Sequence, residues 1–182
     1  MNKKSFLTAS TLALAISTAT TAVYSAELEE IIVTAQKRAE SLQDVPISMS
    51  ALSGSTIKDN GIHSFQDLSG YVPNLEIAEN AVNTIITMRG IGIGSNQSFE
   101  QSVGIYVDGV HFGKSRQVRS GLFDVEQVEV LRGPQGILFG KNTLAGAINV
   151  TTASANVGDE FSGGIDVSQE SYNGQIVDAH IA

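Results

Sequence analysis

Two glycine-rich segments could bind a nucleotide, and three histidines could bind a metal ion. Arg89–Gly94 has the glycine spacing of a dinucleotide-binding loop, but such a loop opens a helix, and the polar residues 95–100 show no helical apolar stripe. Gly136–Asn142 lacks the first glycine and the hydroxyl residue of a phosphate-binding loop. The histidines, which form no pair at ligand spacing, are His63, His111 and His180. These residues predict neither a cofactor nor a metal site.

No grouping of side chains predicts catalysis either. The chain has no cysteine, which excludes a thiol nucleophile, a disulfide and a thiolate metal site. Glu126 and Glu129 are close in sequence, but on a strand they face opposite sides and do not form a pair of carboxylates. No serine lies in a recognisable nucleophile turn. We therefore expect a protein that is not an enzyme.

The composition indicates a folded, β-rich protein that does not bind nucleic acid. Hydrophobic residues make up 42% of the chain and charged residues 16%, which excludes a disordered chain. The 18 glycines and three prolines favour many turns and bulges over a helical bundle. The net charge of −8 argues against nucleic-acid binding, for which a basic face is expected.

Residues 1–26 have the pattern of an export signal. Lys3 and Lys4 form a basic head, residues 6–23 carry no charge, and small residues follow at Ser25 and Ala26. Hydroxyl residues interrupt the apolar centre, whereas a membrane anchor needs about 20 strongly apolar residues. We expect a signal peptide for Sec-type export.

A short run of strand-forming residues, Ile31–Thr34, follows this signal. The next residues, 36–44, are polar, and they show no turn and return strand within reach of the run. A strand with two unpaired edges is suited to pairing with the sheet edge of another protein. The alternative is the first strand of the domain that follows, and the residue pattern leaves both open.

The pattern of residues 45–153 predicts a domain of short strands and short helices. The expected strands are 45–52, 75–78, 84–88, 103–107, 125–131 and 147–152, with helix as an alternative over the first half of 125–131. Short helices are expected from a Ser55 cap to Asn60, at 64–68 with Asp67 in a capping box, and at 137–139. Asp108-Gly109 predicts a hairpin. No helix reaches the about 10 residues of a parallel crossover, so the predicted fold class is α+β, with a mixed β-sheet and short helices.

The pattern changes after Ala153. Residues 161–169 and 175–182 alternate apolar with polar side chains, and Tyr172–Gly174 predicts a tight turn between them. Strands of about ten residues joined by a short turn fit the start of an outer-membrane barrel. The last hairpin of the preceding domain is the alternative.

Several segments, taken in order, resemble the motifs of TonB-dependent outer-membrane receptors. They are Glu30–Ala35, Asp44–Ser48, Arg89-Gly90, Tyr106–Gly109, Val128–Pro134, Leu138–Gly140 and Gly146–Val150. The resemblance implies a TonB box and linker at 27–44, a plug domain at 45–153, and at 154–182 the first hairpin of a transmembrane barrel of about 22 strands, the rest of which is missing.

The resemblance also implies roles for particular residues. In such receptors the TonB protein of the inner membrane binds the box by strand addition and remodels the plug. This assigns TonB binding to Glu30, Ile31, Ile32, Val33, Thr34 and Ala35. Arg89 and Arg132 are implied to pair with barrel glutamates as a plug–barrel lock, whereas solvated charges at strand ends are the alternative.

The implied location is the outer membrane, and the implied function is energised import, most often of a ferric siderophore, with vitamin B12, haem or sugars as other substrates. Substrate contacts are expected in the loops 91–101 and 112–119, although no substrate-binding residue is identified. An isolated periplasmic module that binds TonB without transporting is the alternative. The resemblance implies no cofactor.

Overall fold

The computed structural model describes residues 30–34, 36–81, 83–94, 100–154, 163–169 and 174–181. The expected signal peptide at 1–26 lies outside these ranges. Among the described residues no helix has the length and apolar character needed to cross a membrane.

The described elements are short. The strands are β1 Ile32–Val33, β2 Glu40–Ser41, β3 Met49–Ser53, β4 Leu75–Glu79, β5 Thr84–Met88, β6 Ile91–Gly92, β7 Val103–Val107, β8 Val110–His111, β9 Val125–Arg132, β10 Gly146–Thr152, β11 Gly163–Gln169 and β12 Gln175–Ile181. The α-helices are α1 Gly54–Asp59 and α2 Gly136–Phe139, and 3-10 helices lie at Asp67–Gly70 and Ser115–Arg119.

A five-stranded mixed sheet organises the domain, in the order β3-β9-β10-β7-β8. Strands β10 and β7 run parallel, from Gly146 opposite Val103 to Val150 opposite Val107. Strand β9 is antiparallel to both of its neighbours, β3 and β10. The parallel pair has no crossover helix of the usual length, because the chain returns through β8 and β9. The α+β fold class with a mixed sheet is therefore confirmed.

The main hydrophobic core lies on one face of this sheet. Val128, Ile148 and Ile105 project from three neighbouring strands into one buried cluster. That cluster also receives Ile86 from the separate sheet β4-β5-β6 and Leu68 from the first 3-10 helix. Apolar burial on this scale is the dominant stabilising contribution to such a domain.

The opposite face of the sheet, here called the second face, carries a smaller cluster. Tyr106, Leu131 and Ala147 are buried there, with Met49 and Phe139 packed against them. The sheet register places Ala51, Glu129 and Asn149 side by side on the same face as Leu131. This face is where the N-terminal residues of the domain meet the sheet.

Two expectations about the first part of the domain are wrong in detail. Strand β3 begins at Met49 rather than at residue 45; Val45 is buried, yet it lies in irregular chain before the strand. The helix cap is Ser53 rather than Ser55, because the Ser53 hydroxyl accepts a hydrogen bond from the Thr56 amide at 3.3 Å.

The helix expected at 64–68 is a 3-10 helix at Asp67–Gly70, but its Ser64–Asp67 hydrogen bonds and several other local predictions are confirmed. The Ser64 amide donates to the Asp67 carboxylate at 2.8 Å, and the Asp67 amide donates to the Ser64 hydroxyl at 3.4 Å, as a capping box requires. Asp108 and Gly109 adopt positive φ angles of 48° and 78° in the hairpin between β7 and β8. Residues 125–131 are strand throughout, and β11 pairs with β12 as the expected hairpin. Its expected turn at 172–173 lies outside the described residues.

Candidate functional site

The segment expected to bind a partner, residues 30–35, is here called the coupling segment. Its strand β1 pairs with β2, with Ile32 opposite Ser41 and Val33 opposite Glu40. The Lys37 amide donates to the Thr34 carbonyl at 2.7 Å, and Lys37 has a φ of 61°, which closes the turn. Ala35 lies outside the described residues.

The expectation that this strand has no return strand within reach is therefore wrong. The polar run 36–44 contains β2. Both residues of β2 are polar, and a two-residue strand shows no apolar alternation, so the pattern gave no sign of it. The coupling segment begins a small two-stranded sheet of its own and is not a strand of the five-stranded sheet.

Burial along the coupling segment alternates. The Val33 side chain is 1% exposed, whereas the neighbouring Ile32 is 46% exposed. Glu30 and Thr34 are exposed as well. One apolar side chain thus anchors the segment to the domain, and the side chains beside it face solvent.

Two side chains of β9 contact the backbone of the coupling segment. The Gln127 side-chain amide donates to the Ile32 carbonyl at 3.0 Å. The Thr34 amide donates to Glu129 Oε1, and the Thr34 hydroxyl lies 3.4 Å from the same oxygen. The segment is therefore held through its main chain as well as through Val33.

Glu129 is a fully buried acid. Its side chain is 0% exposed, and its second carboxylate oxygen accepts a hydrogen bond from Asn149 at 2.9 Å. No lysine or arginine in the described part of the chain forms an ion pair with it. A buried carboxylate without hydrogen bonds is strongly unfavourable, so Asn149 and Thr34 are what make this position tolerable for an acid.

The sequence pattern predicted no role for Glu129. It placed Glu126 and Glu129 on opposite sides of a strand, and the structure agrees, since Glu126 is exposed and Glu129 buried. The signal that could have singled out Glu129 is its position two residues before the buried Leu131. In a strand this spacing puts the acid on the same face as a buried apolar side chain.

Arg89 and Arg132, the two residues expected to pair with barrel glutamates, lie near each other. Arg132 ends β9, and Arg89 follows β5 with a φ of 52°. The Arg132 guanidinium donates to Ser48 Oγ at 3.2 Å, Ser50 Oγ at 2.9 Å and the Pro73 carbonyl at 3.2 Å.

Burial lowers the pKa of Arg132, and the nearby charge of Arg89 lowers it further. In the described ranges neither arginine forms an ion pair. Two like charges held together in this way form a site that a carboxylate or another anion would stabilise.

The two expected substrate loops differ in how they are held. Residues 95–99 of the first loop lie outside the described residues, and Ile91 at its start is 47% exposed. In the second loop Val118 is buried, and Arg119 donates to Thr84 Oγ1 at 3.3 Å and to the Asn80 carbonyl. The end of this second loop therefore attaches to β5.

Metal-ligand side chains do not converge in the described residues. They contain no group of three or more histidine, aspartate or glutamate side chains placed to hold an ion. The two described histidine side chains, His63 and His111, lie in separate parts of the domain.

Comparisons with known proteins agree with this arrangement. A family model described as the TonB-dependent Receptor Plug Domain matches residues 41–147. The pesticin receptor of Yersinia pestis is 33% identical over 125 residues, covering 67% of this chain and 18% of that receptor. The iron-regulated outer membrane virulence protein of Vibrio cholerae is 29% identical over 153 residues, covering 77% of this chain and 22% of the relative.

A solved structure gives the same result in three dimensions. The ferric yersiniabactin uptake receptor FyuA from Yersinia pestis superposes with a TM-score of 0.63 at 32% identity, over 71% of this chain and 20% of that one. This chain thus spans about a fifth of the length of these relatives. Because the family model covers more than half of it, the chain belongs to the TonB-dependent receptors of the outer membrane, and its central domain is their plug domain.

Proposed function

We propose that this chain supplies the energy-coupling segment and the plug of a receptor that imports a scarce substrate, with a ferric siderophore as the substrate class. The solved relative at 32% identity is a ferric yersiniabactin uptake receptor, which supports that class. The observation that carries the proposal is a two-residue strand at the N-terminal end of a plug domain, which pairs with β2 and is not part of the five-stranded sheet. We assign no catalytic role to any residue.

The coupling segment, Glu30, Ile31, Ile32, Val33, Thr34 and Ala35, is proposed to bind TonB by strand addition. An isolated two-stranded ribbon is marginally stable at best, so detaching β1 from β2 costs little free energy. The strand-forming side chains Ile31, Ile32 and Val33 favour the extended backbone that a partner's sheet edge requires. Tension on this segment would then act directly on the second face of the plug.

Arg89 and Arg132 are proposed to form the plug–barrel lock. The two guanidiniums lie together without an acid partner among the described residues, and the barrel would supply carboxylates to them. Ion pairs screened from bulk water leave a costly unpaired charge when one partner is removed. Such pairs would keep the plug in place until it is pulled.

Residues 154–182 are proposed to begin the barrel, and residues 27–44 to contain the coupling segment and its linker to the plug. The hairpin β11–β12 has four apolar side chains on one face, Ile165, Val167, Val177 and Ile181, with exposed fractions between 62% and 78%. Such an unburied apolar face matches the lipid-facing side of a barrel strand.

The test of TonB binding is the substitution Ile32→Pro. Proline removes the Ile32 amide donor, which a partner strand would need, and leaves the five-stranded sheet untouched. We expect crosslinking to TonB in cells to be lost, while the thermal unfolding of the plug stays unchanged. Ile32→Ala is the control, because it keeps the amide and should retain crosslinking. Unchanged crosslinking of Ile32→Pro would show that TonB binds elsewhere.

A further inference from the structure

Strand β1 has two edges, and each is occupied. Backbone groups of successive residues in a strand point to opposite edges. Ile31 faces β2, since its carbonyl accepts a hydrogen bond from the Leu42 amide at 2.9 Å. The Ile32 carbonyl and the Thr34 amide face the other edge, where Gln127 and Glu129 lie.

Gln127 and Glu129 supply what the backbone of a neighbouring strand would supply. They are two residues apart on β9, so both side chains project from the same face of the sheet. Gln127 donates an N–H to the Ile32 carbonyl, and Glu129 accepts the Thr34 N–H. One donor and one acceptor at this spacing reproduce the alternation of an antiparallel ladder.

We propose that Gln127 and Glu129 act as a side-chain substitute for a strand and hold the coupling segment closed on the plug. This inference rests on the proposed function, because it concerns the edge that TonB would use. The Ile32 carbonyl and the Thr34 amide cannot pair with a partner strand while they are bonded to β9. TonB therefore binds only after these two hydrogen bonds break.

The surroundings of Glu129 allow this closed state to open and re-form. Asn149 holds the second carboxylate oxygen at 2.9 Å independently of the coupling segment. When Thr34 leaves, the first oxygen gains access to water through the space that Val33 and Thr34 vacate. Asn149 is thus a positioning residue that keeps the acceptor aimed at the segment.

The closed state is tested without TonB by the reactivity of a buried cysteine. The chain has no native cysteine, so Val33→Cys in the full-length chain provides a single thiol at a position that is 1% exposed. Its maleimide labelling then requires the segment to open. We expect labelling to rise about threefold with Gln127→Ala and about tenfold or more with Thr34→Pro, because a hydrogen bond to a carboxylate is stronger than a neutral one.

Matched controls separate opening of the segment from unfolding. Glu126→Ala removes an exposed carboxylate from the same strand and should not change labelling at position 33. Thr34→Ala keeps the amide and loses only the longer hydroxyl contact of 3.4 Å, so it should raise labelling much less than Thr34→Pro. Val128→Cys, at a 0% exposed position in the main core, reports unfolding of the domain and should label slowly in every variant. Labelling at position 33 that does not change, or that rises in parallel with position 128, would overturn the proposal.

A second measurement tests the link to TonB. Gln127→Ala removes a bond of the closed state and leaves the coupling segment itself unaltered, so the affinity for the periplasmic domain of TonB should rise by the factor seen in labelling. Faster labelling without any TonB binding would refute the proposed function and leave the closed state standing. If the chain binds TonB but Gln127→Ala does not raise the affinity, then β9 and TonB do not compete for the coupling segment.

Discussion

At the scale of single residues, the plug contains polar side chains whose partners lie far away in sequence. Glu129 joins the coupling segment to β10, and Arg132 joins β9 to Ser48, Ser50 and the Pro73 carbonyl. Only the family resemblance singled out Arg89 and Arg132, and it did not predict that they lie near each other. The partners of Glu129 could not be predicted, because they depend on the register of three strands.

The three hydrogen bonds of Arg132 predict an effect of Arg132→Lys on stability. A lysine keeps the charge but lacks the planar fork that reaches three acceptors. We expect the free energy of unfolding, measured by urea denaturation, to fall by about 1–2 kcal/mol. Arg116→Lys, at an exposed position, is the control and should change it little. Equal stability of the two variants would show that the contacts of Arg132 are not stabilising.

Tyr106 predicts a dependence of stability on pH. Its hydroxyl donates to the Phe139 carbonyl, and burial raises its pKa above the ordinary value of 10.0. Above pH 10.0 the unfolded chain releases this proton before the folded one does, so the contribution of Tyr106 falls as pH rises. We expect Tyr106→Phe to cost about 1 kcal/mol at about pH 8 and less at about pH 11. A cost that grows with pH would contradict the buried, neutral phenol.

At the scale of elements, long strands with clear alternation were predictable and the short ones were not. Strands β5 and β7 have the expected bounds, whereas the return strand β2 and its pairing with β1 were missed. The late start of β3 and the cap at Ser53 share one physical reason. Both depend on which residues of 45–55 the register of β9 engages, and Met49 is the first that it pairs.

Close packing at Gly146 predicts how tightly β10 is held against its neighbours. A Cβ at this position would lie 2.3 Å from both the Leu131 carbonyl oxygen and Met88 Sδ. We expect Gly146→Ala to lower the free energy of unfolding by about 1–3 kcal/mol, because the backbone oxygen cannot move without shifting β9. Gly70→Ala, where a Cβ meets nothing within 4 Å, is the control. A Gly146→Ala variant of unchanged stability would mean that β9 and β10 can separate enough here to accommodate a methyl group.

At the scale of the whole molecule, the five-stranded sheet holds the coupling segment on its second face. The fold class could be predicted from sequence, whereas the roles given to the coupling segment and to Arg89 and Arg132 stay predictions. The docking of the coupling segment could not be predicted, because it depends on one buried valine and two side chains about 95 residues away along the chain. Local patterns contain no information on such long-range pairing.

The most direct test of this account is disulfide trapping between the coupling segment and the edge strand of TonB in energised cells. Single cysteines are placed in turn at positions 30–34 of this cysteine-free chain, against one fixed cysteine on the TonB strand. Because side chains of paired strands alternate between two faces, we predict one position of strong crosslinking with weaker crosslinking at its immediate neighbours. Equal crosslinking at every position, or none at any, would contradict strand addition by this segment.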